Sequence, residues 1–253
     1  MSAAFVDHFA GVATHYASHR PSYPEELFAW LASQCAERHL AWDCATGSGQ
    51  AALALAGHFD EVLATDASSS QLAAATPCPN VDYRVAPADA SGLAAQSVDL
   101  VTVAQALHWF GLGPFYAEVH RVLKPGGLLA VWTYGVFRLD GGDAGQQQEL
   151  LDRFYWQTVG PYWPAERRHV ENGYADLPFP FDELAVPAFA MAVDWTLDDL
   201  AGYLRSWSAT SRYRELVGVD PVAELAELLA PLWGAAPRRV SWPLSLKVGR
   251  LVR

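Results

Sequence analysis

The sequence is short of the features that mark several broad protein classes. Among 253 residues it has three cysteines, Cys35, Cys44 and Cys78, with no CxxC spacing. An odd, scattered set argues against a disulfide framework or a structural zinc site and fits free thiols in a reducing compartment. No stretch offers the roughly 18 uninterrupted apolar residues of a membrane span. The longest apolar runs, such as Leu128–Val131 and Leu100–Val103, are strand-length. The first ten residues include Asp7 and His8 and lack the basic-then-apolar order of a signal peptide, so a cytoplasmic location is expected. Positive charge is scarce: 17 Lys and Arg against 28 Asp and Glu give a formal net charge of -11. Nucleic-acid binding and polybasic membrane attachment both depend on cationic surface, so neither partner is expected. His8, His15, His19, His58, His120 and His169 share no ligand-like spacing, and no metal is expected.

What is present is enough apolar residue, 51%, for a sizeable core in one domain. Residues 24–36 read as a helix opened by Pro24, Glu25 and Glu26. Strands are expected at 40–44, 61–65, 81–85, 98–104 and 128–134, with helices at 50–57, 69–75 and 112–123 between them. Alternating strands and helices imply right-handed crossovers and a mainly parallel sheet. The strands are near-continuous apolar runs, as strands covered on both faces are. The pattern changes after Gly135. Residues 151–185 are rich in aromatics and proline, including Trp156 and Trp163, and read as an inserted cap. A strand at 188–195, a helix from Thr196, another from Asp220-Pro221 and one or two strands at 240–252 complete the chain. The expected organisation is thus one domain over 1–253: an N-terminal lid and helix (1–36), a core (37–135), a cap (136–187) and C-terminal strands and helices (188–253).

The most informative stretch is Asp43-Cys44-Ala45-Thr46-Gly47-Ser48-Gly49-Gln50, between the first strand and the next helix. Glycines there allow a sharp turn and a close ligand approach, and the helix beyond presents free N–H groups. Some 20 residues on, the second strand ends in Asp66, a carboxylate able to accept from both hydroxyls of a ribose. Together they point to a nucleoside-containing cofactor. Gly47 to Ala52 also fits G-x-G-x-x-A, the dinucleotide fingerprint, which keeps an NAD(P)-binding oxidoreductase as the alternative. Asp43 pulls the other way. It would repel a pyrophosphate but favour the ammonium and sulfonium of S-adenosylmethionine (SAM). Asp89-Ala90, after the third strand, offers an acceptor for an adenine amino group.

These residues resemble the class I SAM-dependent methyltransferases of the large type 11 group, in particular the trans-aconitate methyltransferase-like proteins. Asp43, Gly47 and Gly49 match the family's loop, while Ala45 replaces its first glycine. Ser97-Val98-Asp99-Leu100-Val101, Gln105-Ala106-Leu107-His108-Trp109-Phe110, Arg121-Val122-Leu123-Lys124-Pro125-Gly126-Gly127 and Ser206-Trp207-Ser208-Ala209 also resemble family segments, as does the run Tyr16, Arg20-Pro21, Tyr23-Pro24. The resemblance implies a Rossmann-like, mostly parallel seven-stranded sheet with helices on both faces and a helical, aromatic-rich cap. It implies methyl transfer from SAM, by in-line displacement, to a small-molecule acceptor such as a carboxylate or hydroxyl. A SAM-binding protein without catalysis is a third reading. The cofactor would be held by Asp43, Ala45, Gly47, Gly49, Asp66, Ala67, Asp89, Ala90 and Gln105, with Tyr16 and Arg20 folding over it. His108 would serve as general base or as a structural hydrogen-bonding residue. Trp109, Trp156 and Trp163 would wall the acceptor pocket or fill the core.

Overall fold

The structure, a computed structural model, describes residues 21–141 and 145–251. Helix α1 (Glu25–Gln34) starts after Pro24 with both acids in its first turn, where the helix dipole favours negative charge. There follow β1 (Leu40–Cys44), α2 (Gln50–Leu55), β2 (Glu61–Asp66), α3 (Ser69–Leu72), β3 (Val81–Val85), β4 (Val98–Ala104), α4 (Leu112–Val122) and β5 (Leu123–Tyr134). The five strands are parallel in the order β3-β2-β1-β4-β5. Chain order reverses between β1 and β4, which makes their C-terminal ends the switch point where open α/β sheets bind ligands.

Helices α1 and α2 cover one face, burying Leu27, Phe28, Leu31, Ala52 and Leu55 against Ala41, Val62, Leu100, Ala130 and Trp132. Helix α4 covers the other, with Phe115, Val119 and Val122 on Trp42, Leu63, Val101 and Val131. The expected turn at Lys124–Gly127 is instead an irregular start to β5, which begins at Leu123 rather than Leu128. The register shifts between the pairs Val98–Leu123 and Leu100–Leu128. Lys124 is pulled onto the sheet by buried Asp99, 2.7 Å from its Nζ, and Asp99 also accepts from the backbone N–H groups of His39 and Leu40.

The second half adds β6 (Arg138–Leu139), α5 (Gly145–Arg153), α6 (Arg167–Glu171), β7 (Asp182–Glu183), β8 (Ala190–Trp195), α7 (Leu197–Arg205), α8 (Ser208–Val217), α9 (Pro221–Trp233) and β9 (Arg238–Arg250). Among the described residues the count is nine strands rather than seven, because β6 and β7 are two-residue additions. The terminal region is one long strand. Residues 244–250 of β9 run antiparallel to β5, and residues 238–243 pair with β8. Pro243, which lacks an N–H to give a ladder, sits where the partner changes. The cap at Thr196 forms as its sequence predicts: its hydroxyl accepts from Asp199 N–H at 3.2 Å and its N–H donates to the Asp199 carboxylate at 2.9 Å.

Position 187 does not divide two packing units. Phe137, Phe154, Tyr155 and Val159 share one core with Leu200, Leu204, Trp207, Val222, Leu229, Trp233 and Trp242 from beyond it. Val170, Tyr174 and Phe181 return instead to the α4 face of the sheet. No described helix is long and apolar enough to cross a membrane.

Candidate cofactor and acceptor site

The turn after β1 is built from left-handed backbone. Ala45, Gly47 and Gly49 have φ of +55°, +59° and +86°. Such a conformation costs an ordinary residue about 1–2 kcal/mol, so Ala45 is strained where the resembling family has glycine. Ala45→Gly is expected to stabilise the protein by roughly 0.5–1 kcal/mol, the penalty less the extra unfolded-state entropy of glycine. Gly49→Ala is expected to destabilise it, because its Cβ would lie 2.5 Å from the Tyr83 hydroxyl. Tyr83 would have to leave its bond to the Thr76 carbonyl. Urea unfolding of the two variants checks the opposite signs.

Asp66 ties this turn to the next. Its carboxylate accepts from Gly47 N–H at 2.9 Å and from Ser68 N–H at 2.8 Å, and Ala67 beside it is exposed. Asp43 lies behind the turn, wholly buried. Its oxygens accept from the hydroxyls of Thr46 at 2.5 Å and Thr102 at 2.7 Å. Burial pushes its carboxyl up to about 6, against the pull of those hydrogen bonds, and the neighbouring Asp66 charge pushes the same way. Two carboxylates therefore back a turn whose outer side can take a ligand.

On the adjacent strand tip, Gln105 follows β4 with φ of +59°. Its side-chain amide donates to the Tyr134 carbonyl at 2.9 Å and accepts from the Thr133 hydroxyl at 2.7 Å. The Tyr174 hydroxyl is 2.9 Å from His108 Nδ1. A carbonyl only accepts, so Gln105 must turn its NH2 to Tyr134, and Thr133 must then give its single proton to Gln105. The Tyr174–His108 bond is made by either imidazole tautomer: Nδ1–H donating to the hydroxyl leaves Nε2 an acceptor, and the hydroxyl donating to Nδ1 leaves Nε2 protonated. Nε2 has no hydrogen-bond partner among the described residues. His108 is held well below the ordinary imidazole range, at about 3, first by burial and then by the charges of Arg167 and His169. It is neutral in ordinary conditions.

The other predicted residues are less tightly gathered. Asp89 and Ala90 are exposed on the loop after β3. That loop is anchored by Ser91, whose N–H and hydroxyl both donate to the buried Glu118 carboxylate at 2.9 and 2.6 Å. Trp109 is 37% exposed and stacks at a tilt on His108. Trp163 packs on Tyr155 and Trp207 within the second core, and Trp156 is 54% exposed with its edge on Tyr155. Tyr16 and Arg20 lie outside the described residues.

A family described as "Methyltransferase domain" matches residues 42–131. A candidate methyltransferase of Dictyostelium discoideum is 34% identical over 227 residues, spanning 89% of this chain and 86% of that protein. The chain belongs to the class I SAM-dependent methyltransferases. The solved structure of a candidate type II methyltransferase from Anaeromyxobacter dehalogenans is 44% identical to this methyltransferase, with a TM-score of 0.86 over 92% of this chain and 98% of that one. A candidate SAM-dependent methyltransferase of Saccharomyces cerevisiae is 32% identical over 131 residues, 48% of this chain and 45% of that protein. The oxidoreductase alternative falls with this assignment. These three likenesses do not single out the trans-aconitate subgroup.

The residues of the methyltransferase fit its cofactor. The turn brings two carboxylates behind a left-handed backbone, a donor set suited to a cation and adverse to a pyrophosphate. Asp66 is an acceptor at the position where a ribose diol needs one. Sequence reasoning missed the residues that hold these candidates: Thr46 and Thr102 on Asp43, Glu118 on the loop after β3, Thr133 on Gln105 and Tyr174 on His108. Only Tyr174 had a local signal, the Asn172-Gly173 turn before it. Gly173 is required there, since a Cβ would lie 2.5 Å from the Ser245 hydroxyl.

Proposed function

We propose that the enzyme methylates a hydroxyl on a small-molecule acceptor, with His108 Nε2 receiving the proton. The observation that supports this reading is the Tyr174 hydroxyl on Nδ1, which holds the imidazole in place while Nε2 keeps no partner among the described residues; with the proton on Nδ1, Nε2 is the acceptor. When bound, SAM supplies a methyl carbon made electrophilic by its sulfonium. Asp66 would accept from the ribose hydroxyls, and Ala67 and the Asp89–Ala90 loop would flank the adenine. Asp43 would act through its charge across the turn. Ala45, Gly47 and Gly49 would offer close backbone approach, and Gln105 would border the methyl end. Trp109 and Trp163 would exclude water from the acceptor, Trp156 standing at the outer rim. Aligning the two reactants in a dry site supplies much of the acceleration. His108 need not be a strong base, because an alcohol oxygen that has gained a methyl group is a far stronger acid than imidazolium.

Asp66→Ala tests the cofactor half of this reading. SAM affinity is expected to fall by about 1.5–3 kcal/mol, or roughly 10- to 150-fold, the range for hydrogen bonds to a charged group. Unchanged heats of SAM binding would remove Asp66 from the ribose role.

A further inference from the structure

Arg167 stands apart from the other cations of this acidic chain. Its Nε donates to the Tyr155 hydroxyl at 2.9 Å, and its guanidinium lies over the Trp163 ring, 4.6 Å from the centroid. Tyr155 passes its own proton to Glu171 at 2.7 Å, so the nearest carboxylate is engaged there and forms no ion pair with Arg167. The two terminal nitrogens of the guanidinium have no acceptor among the described residues, although the side chain is part-buried. The Trp163 Nε1–H, buried beside it, has none either. Of these donors the indole N–H is the buried one, and a buried donor without an acceptor is uncommon and calls for a partner; the guanidinium fork beside it is open to a ligand from solvent. A guanidinium clamped flat on an indole and pinned at Nε also has its outer edge fixed, and that edge is the fork that grips planar oxyanions.

The position is at the acceptor side of the site. Helix α6, which begins with Arg167, packs on the turn 107–109 that carries His108. The Arg167 charge is felt at both His108 and Tyr174. We propose that Arg167, stacked on Trp163, is the anchor for an anionic oxygen group, carboxylate or phosphate, on the same acceptor whose hydroxyl faces His108. The inference rests on the methyl-transfer reading for the word acceptor, but the anion site itself does not. It narrows the substrate class to small hydroxy acids or phosphorylated alcohols. It also couples the two ends of the site: an anion on Arg167 screens the charge that helps to depress His108, and so makes Nε2 a better proton acceptor when substrate is present.

The test is calorimetry on the full chain loaded with S-adenosylhomocysteine, titrated with succinate and, separately, with inorganic phosphate. At least one is expected to bind, and the tighter of the two identifies the anion. Arg167→Gln is expected to weaken that binding tenfold or more while the homocysteine nucleoside still binds with wild-type affinity, which also shows that the variant is folded. Arg167→Lys is expected to keep part of the affinity for phosphate and to lose more of that for succinate, which needs the bidentate fork. Absence of binding by both anions at high millimolar concentration, or equal binding by wild type and Arg167→Gln, would overturn the proposal. Failure of the nucleoside to bind wild type would instead strike the methyl-transfer reading, and anion titration of the unloaded protein would still decide the role of Arg167.

Discussion

His108→Ala is expected to slow turnover of a hydroxyl acceptor by about 100-fold or more, the usual scale for a positioned proton acceptor, with SAM affinity little changed. Tyr174→Phe keeps the ring in its core but removes the hydroxyl that holds the imidazole through Nδ1. A loss of about tenfold is expected, again in turnover rather than in cofactor binding. Because His108 titrates near 3, it is neutral across the ordinary assay range, and the rate is expected to show no inflection from it near 6.5, where a free imidazole titrates. A wild-type rate in His108→Ala would leave the residue structural.

Asp43 should produce the inflection instead. Its carboxyl is raised from 3.8 to about 6, chiefly by burial. A folded-state value above the unfolded one means that protonation favours folding. This contribution is fully present below about pH 4 and is lost as pH rises through 6. The unliganded enzyme is therefore expected to gain stability from Asp43 on mild acidification, while SAM, a cation at this site, demands the ionised form. Its affinity should fall below pH 6 by up to about tenfold per unit. Asp43→Asn removes the charge and keeps the shape. For charges about 7 Å apart at an effective dielectric of about 20, the loss is about 2 kcal/mol, or roughly 30-fold in SAM affinity, and the pH dependence should vanish with it. Asp43→Ala also strands the Thr46 and Thr102 hydroxyls, each at a cost of about 1–3 kcal/mol when left buried without an acceptor. Titration calorimetry and urea unfolding at pH 5, 6 and 7 measure both effects. A SAM affinity that ignores both pH and Asp43→Asn would take Asp43 out of cofactor binding.

The parallel half of the fold was legible because it is written locally. Strands buried on both faces read as apolar runs, and glycines and acids mark their tips. Asp66 could be singled out as a candidate because its position at the tip of β2 follows from the βαβ unit itself. Asp43 was found as a charge, but its role as a buried prop was not, since the two threonines that hold it arrive from the turn and from β4. His108 was visible as a candidate, whereas its one hydrogen-bond partner among the described residues, Tyr174, lies 66 residues further along the chain. The aromatic segment was read as a cap by composition alone. Composition cannot tell Trp156, left open to solvent, from Trp163, wedged among Tyr155, Trp207 and Arg167. The start of β5 was misplaced for a similar reason: Lys-Pro-Gly-Gly signals a break locally, and a buried aspartate on the neighbouring strand overrides it.

Strand β9 belongs to two layers at once, with one half paired to β5 in the parallel sheet and the other half to β8 in the aromatic layer. A descendant of this enzyme could not trade the aromatic layer for another as a module, because the graft would have to reproduce both registers of a single strand on either side of Pro243. With the acceptor anchored as proposed, divergence in what is methylated would be channelled into individual side chains such as Arg167 and Trp163, and new specificities would arise by point substitution rather than by shuffling.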